Sequence, residues 1–339
     1  MRDTFIRILE DIAKEDQNLI LITGDLGFGV LKNYWDTYPE QFINAGIAEQ
    51  NMTGLAAGMA IEGKTVFTYS IGNFPTIRCL EQIRNDAAYH NANVKVVAVG
   101  GGFAYGSLGM SHHATEDIAI MRALPNVTVL APGDIKETEE AVKAIYKWPG
   151  TCYLRLGRGG GKPIHEGAID FKIGKAIKLL EGETVAIFST GEILEEAKKG
   201  ATLLNNMGVS TGLFSFPTVK PIDYETIIQS ANNVDLIITV EEHNIIGGFG
   251  SAVAEVLAGV QGNHAQLIRI GLDDKYSSIV GSQEYLRDCY GISAQQIVDK
   301  VINTLKSRYS INGTKEDMHY YNGIFNHESI CDLEPRGTK

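Results

Sequence analysis

Glu49 stands in the most telling setting of any residue able to do chemistry. It follows Gly46-Ile47-Ala48 and leads into Gly54, Leu55, Ala56, Ala57, Gly58, Met59 and Ala60, all small or apolar. A helix of that composition is buried on most faces, so a carboxylate in its first turn needs a partner. Such a group can hold or pass a proton. The plainer alternative is a first-turn acid favoured by the helix dipole. Ser111-His112-His113-Ala114-Thr115-Glu116-Asp117 joins a glycine-rich loop to another helix. Adjacent histidines point in different directions and make a poor two-ligand metal site. One of them can face a cleft as acid, base or donor; the alternative is a surface or capping role. Arg155 and Arg158 flank the end of a strand in YLRLGRGGG. Arg158 falls at the carboxyl edge of a parallel sheet, where ligands of such folds bind. A guanidinium there is a fork for phosphate or carboxylate, or else a solvated loop charge. Phe74 lies just past a strand end, placed to stack on a flat ring or to fill the core.

Two other loops carry less. Gly24-Asp25-Leu26-Gly27-Phe28-Gly29 reads GxxGxG rather than GxGxxG and opens no clear helix, although Glu49 lies roughly where a ribose-binding acid would. Tyr105-Gly106-Ser107-Leu108-Gly109 has tyrosine where a nucleophile elbow needs glycine, and it sits late in a long loop.

The elements that must position these groups follow one rhythm. Phe5, Ile8, Leu9 and Ile12 form an amphipathic stripe behind Asp3. Apolar runs at 19–22, 65–70, 94–99, 127–130 and 152–156 read as buried strands. Helices are expected between them over 47–62, 75–90, 115–123 and 134–147. Strands alternating with helices imply a parallel sheet covered on both faces. The stretch 157–175 breaks the pattern with glycines and a proline and reads as a linker. A second α/β unit follows, with strands at 184–189, 211–216, 236–241 and 266–270 and a last helix over 294–305. The reading is α/β throughout: domains at 1–160 and 176–305, a linker at 161–175, and a tail at 306–339 of unknown role.

Composition agrees with a globular protein. The 339 residues are 44% hydrophobic and 21% charged, with a formal net charge of −11. Broad nucleic-acid or anionic-membrane binding faces are disfavoured by that charge. Four scattered cysteines with no CxxC read as reduced thiols in a cytoplasmic protein. No apolar run is long enough to span a membrane, and the acid-bearing start MRDTFIRILEDIAKED does not read as a secretory leader.

The order of the motifs is informative. GDLG is followed by GIAEQN, a Phe-bearing loop before LEQIRND, SHHATEDIAIMRALPNVTVLAP, YLRLGRG, TVKPID and EEHNIIGGFGSAVAE. Over about residues 2–305 this resembles the C-terminal half of transketolase and of 1-deoxyxylulose-5-phosphate synthase, and above all the separate C-terminal subunits of split transketolases. The resemblance implies two doubly wound α/β domains: a thiamine pyrimidine-binding domain, then a transketolase C-terminal-like domain. It implies thiamine diphosphate as cofactor, with Mg²⁺ and the diphosphate held by an N-terminal partner subunit in an α2β2 assembly, because no GDG…N signature is present here. No metal ligand is expected in this chain. Glu49 matches the glutamate that bonds the pyrimidine N1′ and drives proton removal at the thiazolium C2. Phe74 matches the stacking aromatic, and Leu26 and Ile47 are expected beside the same ring. His112 matches a histidine at the reacting carbons. Arg2 and Arg158 match arginines that bind a substrate phosphate, with His113 also expected at the substrate. The implied reaction is ketol transfer between a ketose and an aldose. Alternatives are a thiamine-dependent decarboxylating synthase, a 2-oxo acid dehydrogenase β-type subunit, or a non-catalytic assembly subunit.

Three positions depart from the transketolase pattern. Gly100 falls where a histidine is expected, Leu108 where an aspartate reads the C2 hydroxyl, and Gly29 where a serine meets phosphate. Leucine accepts no hydrogen bond, so specificity at that carbon must differ. The expectation is an unusual or modified sugar, with the glycines opening room for it.

Overall fold

The computed structural model describes residues 1–159, 163–262 and 264–312, the last four of these as backbone only. In the first domain five all-parallel strands carry the site: β1 (Leu19–Thr23), β2 (Phe42–Asn44), β3 (Thr65–Ile71), β4 (Val94–Val99) and β6 (Thr151–Leu156), together with β5 (Val127–Leu130). Every residue of β1, β4 and β6 is buried, as continuous apolar runs covered on both faces require. The second domain holds β7 (Ile177–Leu180), β8 (Val185–Thr190), β9 (Thr211–Ser215), β11 (Leu236–Asn244) and β12 (Gln266–Leu272), in the order β12-β11-β8-β9-β7, with β7 antiparallel at its edge.

The two domains are not independent. The short β10 (Thr218–Lys220), inside the TVKPID motif of the second unit, pairs antiparallel with β5 and completes the first sheet in the order β10-β5-β6-β4-β3-β1-β2. A cluster of buried charges pins the same seam. Asp117 Oδ2 accepts from Arg155 Nε at 2.8 Å and from the Tyr153 hydroxyl at 2.5 Å. Arg155 also donates to the carbonyls of Ala114 and Glu242, at 2.8 and 3.0 Å. Glu242 in turn accepts from Arg287 at 2.6 and 2.8 Å and from the Phe103 backbone at 2.6 Å. Buried charges persist where they are paired and hydrogen-bonded.

Three expectations need correction. The helix expected at 75–90 is a 3₁₀ turn at Ile77–Cys79, a single turn at Leu80–Gln82 and a π-helical stretch at Ile83–Ala88. Pro75 bars a regular start, since a proline restricts the residue before it. The expected linker is tied down where it is described: Asp134 Oδ2 accepts from the backbones of Ile164 at 2.6 Å and His165 at 3.1 Å, and His165 Nε2 sits 2.5 Å from Glu137. The last helix runs from Ala294 to Asn312, into the stretch expected as tail. Residues 313–339 lie outside the described residues. Among the described residues no helix is long and apolar enough to cross a membrane.

Candidate active site

Strand ends bring the singled-out residues together. The loop after β1 carries Leu26, the loop after β3 carries Phe74, the loop after β4 runs to His112, and the end of β6 leads to Arg158. All lie at carboxyl ends of one parallel sheet, where such folds bind ligands.

Glu49 opens the helix Glu49–Ile61 and is 2% exposed. Its space is made by Gly24: a Cβ there would lie 3.1 Å from Glu49 Cγ. Its Oε2 accepts from Arg78 at 2.7 Å, while Oε1 has no hydrogen-bond partner among the described residues. The Arg78 guanidinium lies 4.6 Å from the centre of the Phe74 ring, a cation–π contact. One flat cation thus bridges the acid and the aromatic. Arg78 is the residue that sequence reasoning missed. Its signal is weak, an arginine in a segment that reads as plain helix. Cys79, next to it, is buried, and burial pushes its thiol up to about 11, so it stays protonated beside Glu49.

The two histidines separate. His113 is 2% exposed, its Nε2 is 3.1 Å from the Gly106 carbonyl, and its ring meets Phe103 edge-on at 5.1 Å. Burial holds its imidazole below the ordinary histidine value. The expectation that His113 meets substrate is therefore corrected: it braces the glycine-rich loop from beneath. His112 is partly exposed, edge-on to Phe74 at 5.3 Å, with Nδ1 3.0 Å from the Ser111 hydroxyl.

Leu26 is half-buried in the loop after β1, and the Thr23 hydroxyl donates to its carbonyl. Ile47 is 79% exposed, on the outer lip before the helix. Within one chain it makes no wall, so a ring beside it would have to be enclosed by a second polypeptide. Arg2 and Arg158 share a cleft of about 480 Å³ with Glu192, Gln283 and Glu284 of the second domain. Arg2 pairs with Asp3 at 2.9 Å. Glu192 is held above the ordinary carboxylate range by burial and by the nearby Glu242.

The three departures behave differently. Gly29 has open space around it, and Leu108 is 52% exposed. Gly100 opens no room at all: with φ +97°, its missing Cβ would fall 2.2 Å from two carbons of the Tyr105 ring.

Residues 1–162 match the family described as transketolase, pyrimidine binding domain, and residues 174–297 match transketolase, C-terminal domain. One of the two subunits of an apulose-4-phosphate transketolase from Phocaeicola vulgatus is 34% identical over 90% of this chain and 97% of its own length. A 6-deoxy-6-sulfo-D-fructose transketolase subunit from Clostridium sp. is 34% identical over 88% of this chain and 92% of its own. A solved structure described as a split gene transketolase, inactive beta4 tetramer, superposes with TM-score 0.81 at 34% identity, covering 88% of this chain and 96% of that one. With both domains matched in order, and the site residues gathered at the carboxyl edge of the first domain's sheet, the chain belongs to the transketolase family.

Proposed function

We propose that this chain is the C-terminal subunit of a split, thiamine-diphosphate-dependent transketolase, moving a two-carbon ketol unit between an unusual ketose and an aldose. The observation that carries the reading is the buried Glu49 carboxylate with one oxygen unpartnered among the described residues, set beside Phe74 at the sheet's carboxyl edge. The residues fit the pyrimidine end of the cofactor: Glu49 would bond its ring nitrogen, Phe74 would lie against its face and the Leu26 backbone would border it. When bound, the cofactor supplies the carbon nucleophile and the electron sink.

The chain's own part is proton handling and positioning. Glu49 holds or accepts a proton at Oε1 while Arg78 keeps the other oxygen occupied, so a shared proton is directed to one atom. Gly24 leaves no bulk to deflect the carboxyl. His112, braced by Ser111, presents a donor or acceptor at the cleft edge. Arg2 and Arg158 hold the anionic end of the sugar. The magnesium and the diphosphate fall to an N-terminal partner subunit in an α2β2 assembly within the cytoplasm. That partner also suits the exposed apolar residues around Glu49: Ile47, Leu55 and Ile61 are 79%, 37% and 60% exposed. The unusual sugar is supported by the substrates in the two relatives' names and by Leu108, which cannot read a hydroxyl.

The test is ketol transfer by this chain, its candidate partner and both together, on a panel of ketose phosphates and sulfonated ketoses. Transfer only by the pair supports the reading. Carbon dioxide release from pyruvate would instead favour the decarboxylating alternative, and an inactive pair that assembles would favour the assembly role.

A further inference from the structure

Tyr105 is the residue that spoils the nucleophile-elbow pattern in the sequence. In the structure its ring fills the volume a side chain at position 100 would take, with two ring carbons 2.2 Å from the Cβ built on Gly100. The two positions are mutually exclusive: a bulky residue at 100 and this tyrosine rotamer cannot coexist. The Arg158 guanidinium lies 4.8 Å over one side of the ring. His112 lies on another side, ring centres 6.4 Å apart. Ala104, its neighbour, lines the cleft shared by Arg2 and Arg158. The phenol therefore stands between the histidine at the reacting end and the arginines at the anionic end. It has no hydrogen-bond partner among the described residues, although phenols in largely buried settings normally find one.

We infer that Tyr105 is a specificity-determining residue whose hydroxyl bonds a sugar hydroxyl midway between the carbonyl and the anionic group. This rests on the proposed ketol-transfer reading and sharpens it. The tyrosine takes over hydroxyl reading that Gly100 and Leu108 cannot perform. A phenol both donates and accepts, so it suits a secondary hydroxyl of either configuration better than a carboxylate does.

Calorimetric binding to the assembled pair separates this from a merely structural role. The probes are inorganic phosphate, D-ribose 5-phosphate, D-xylulose 5-phosphate and D-fructose 6-phosphate. Tyr105→Phe keeps the ring under Arg158 and removes only the hydroxyl. It should leave inorganic phosphate affinity unchanged and weaken at least one sugar phosphate about tenfold, the worth of one hydrogen bond. Arg158→Ala should weaken phosphate and sugar phosphates alike. If Tyr105→Phe weakens phosphate and sugars equally, the tyrosine only positions Arg158 and the inference fails. Unchanged binding of all four probes also overturns it, as does a wild-type pair that binds sugar phosphates no better than phosphate. A wild-type pair that binds none of the probes and transfers no ketol unit overturns the underlying reading as well.

Discussion

Asp117 and Glu49 invite comparison. Each is the first residue of its helix, each is almost wholly buried, and each holds an arginine. Asp117 sits in the seam between domains. Its Arg155 partner is 5% exposed and spends its other donors on carbonyls from both domains. Glu49 sits at an open sheet edge, and its Arg78 partner is 46% exposed. The first arrangement is closed on itself and fixes how two domains meet. The second leaves one carboxylate oxygen and the face of an arginine over an aromatic ring for something outside this chain. The same residue chemistry thus does joinery in one place and awaits a ligand in the other; what differs is whether the chain completes the site.

Glu49→Gln should widen the contrast most. It should cut turnover by the assembled pair by about 10²–10⁴-fold, the usual worth of a general acid or base, with folding and assembly unchanged by circular dichroism and gel filtration. Near-wild-type turnover would erase the distinction. At the seam, Asp117→Ala strands a buried guanidinium. It should cost about 3–5 kcal/mol in urea unfolding, while turnover per folded molecule changes little. A loss below about 1 kcal/mol would mean the seam is no more closed than the site.

The seam also carries a pH signature. Burial pushes the Glu241 carboxyl up to about 7 in the folded state, despite backbone bonds from Phe249 and Gly250 at 2.7 and 2.8 Å. Its ordinary value is 4.5. Between these values the folded state keeps a proton that the unfolded chain has released. Stability from this group is therefore present below the ordinary value and is lost as pH rises through the folded one. Urea midpoints for the wild type should fall across that window relative to Glu241→Gln, which should be flatter; parallel profiles would contradict the assignment. The smallest effect is expected at Arg78. Because that ion pair is half exposed, Arg78→Met should cost no more than about 1 kcal/mol of stability, far below the Asp117 change, measured in the same urea series.

Much of the frame was legible in the residues. Unbroken apolar runs such as Val94–Val99 can only be buried strands, and the burial is complete. Glu49 was legible because a carboxylate leading a helix of glycine, alanine and methionine is out of place unless partnered. The short β10 was not, because three residues carry no period and its partner β5 is remote in sequence. The broken segment from Ile77 to Ala88 kept apolar spacing close enough to a helix to pass for one. Arg78 escaped because its two partners, Glu49 and Phe74, meet it only after folding. The histidine pair was undecidable from sequence, since adjacent side chains diverge and only packing against Phe103 says which is inside. Gly100 was misread as open room because an absent side chain looks the same in sequence whether or not a neighbour fills the gap.

The central claim is that the Glu49 site is half of a cofactor site completed by another polypeptide. Calorimetric titration of thiamine diphosphate with magnesium into this chain, into the diphosphate-binding partner and into their mixture tests it most directly. Tight one-to-one binding per pair of chains, weakened in the mixture by Glu49→Gln and absent with this chain alone, is the result expected. Equal binding by this chain alone, or a mixture whose affinity ignores position 49, would contradict it.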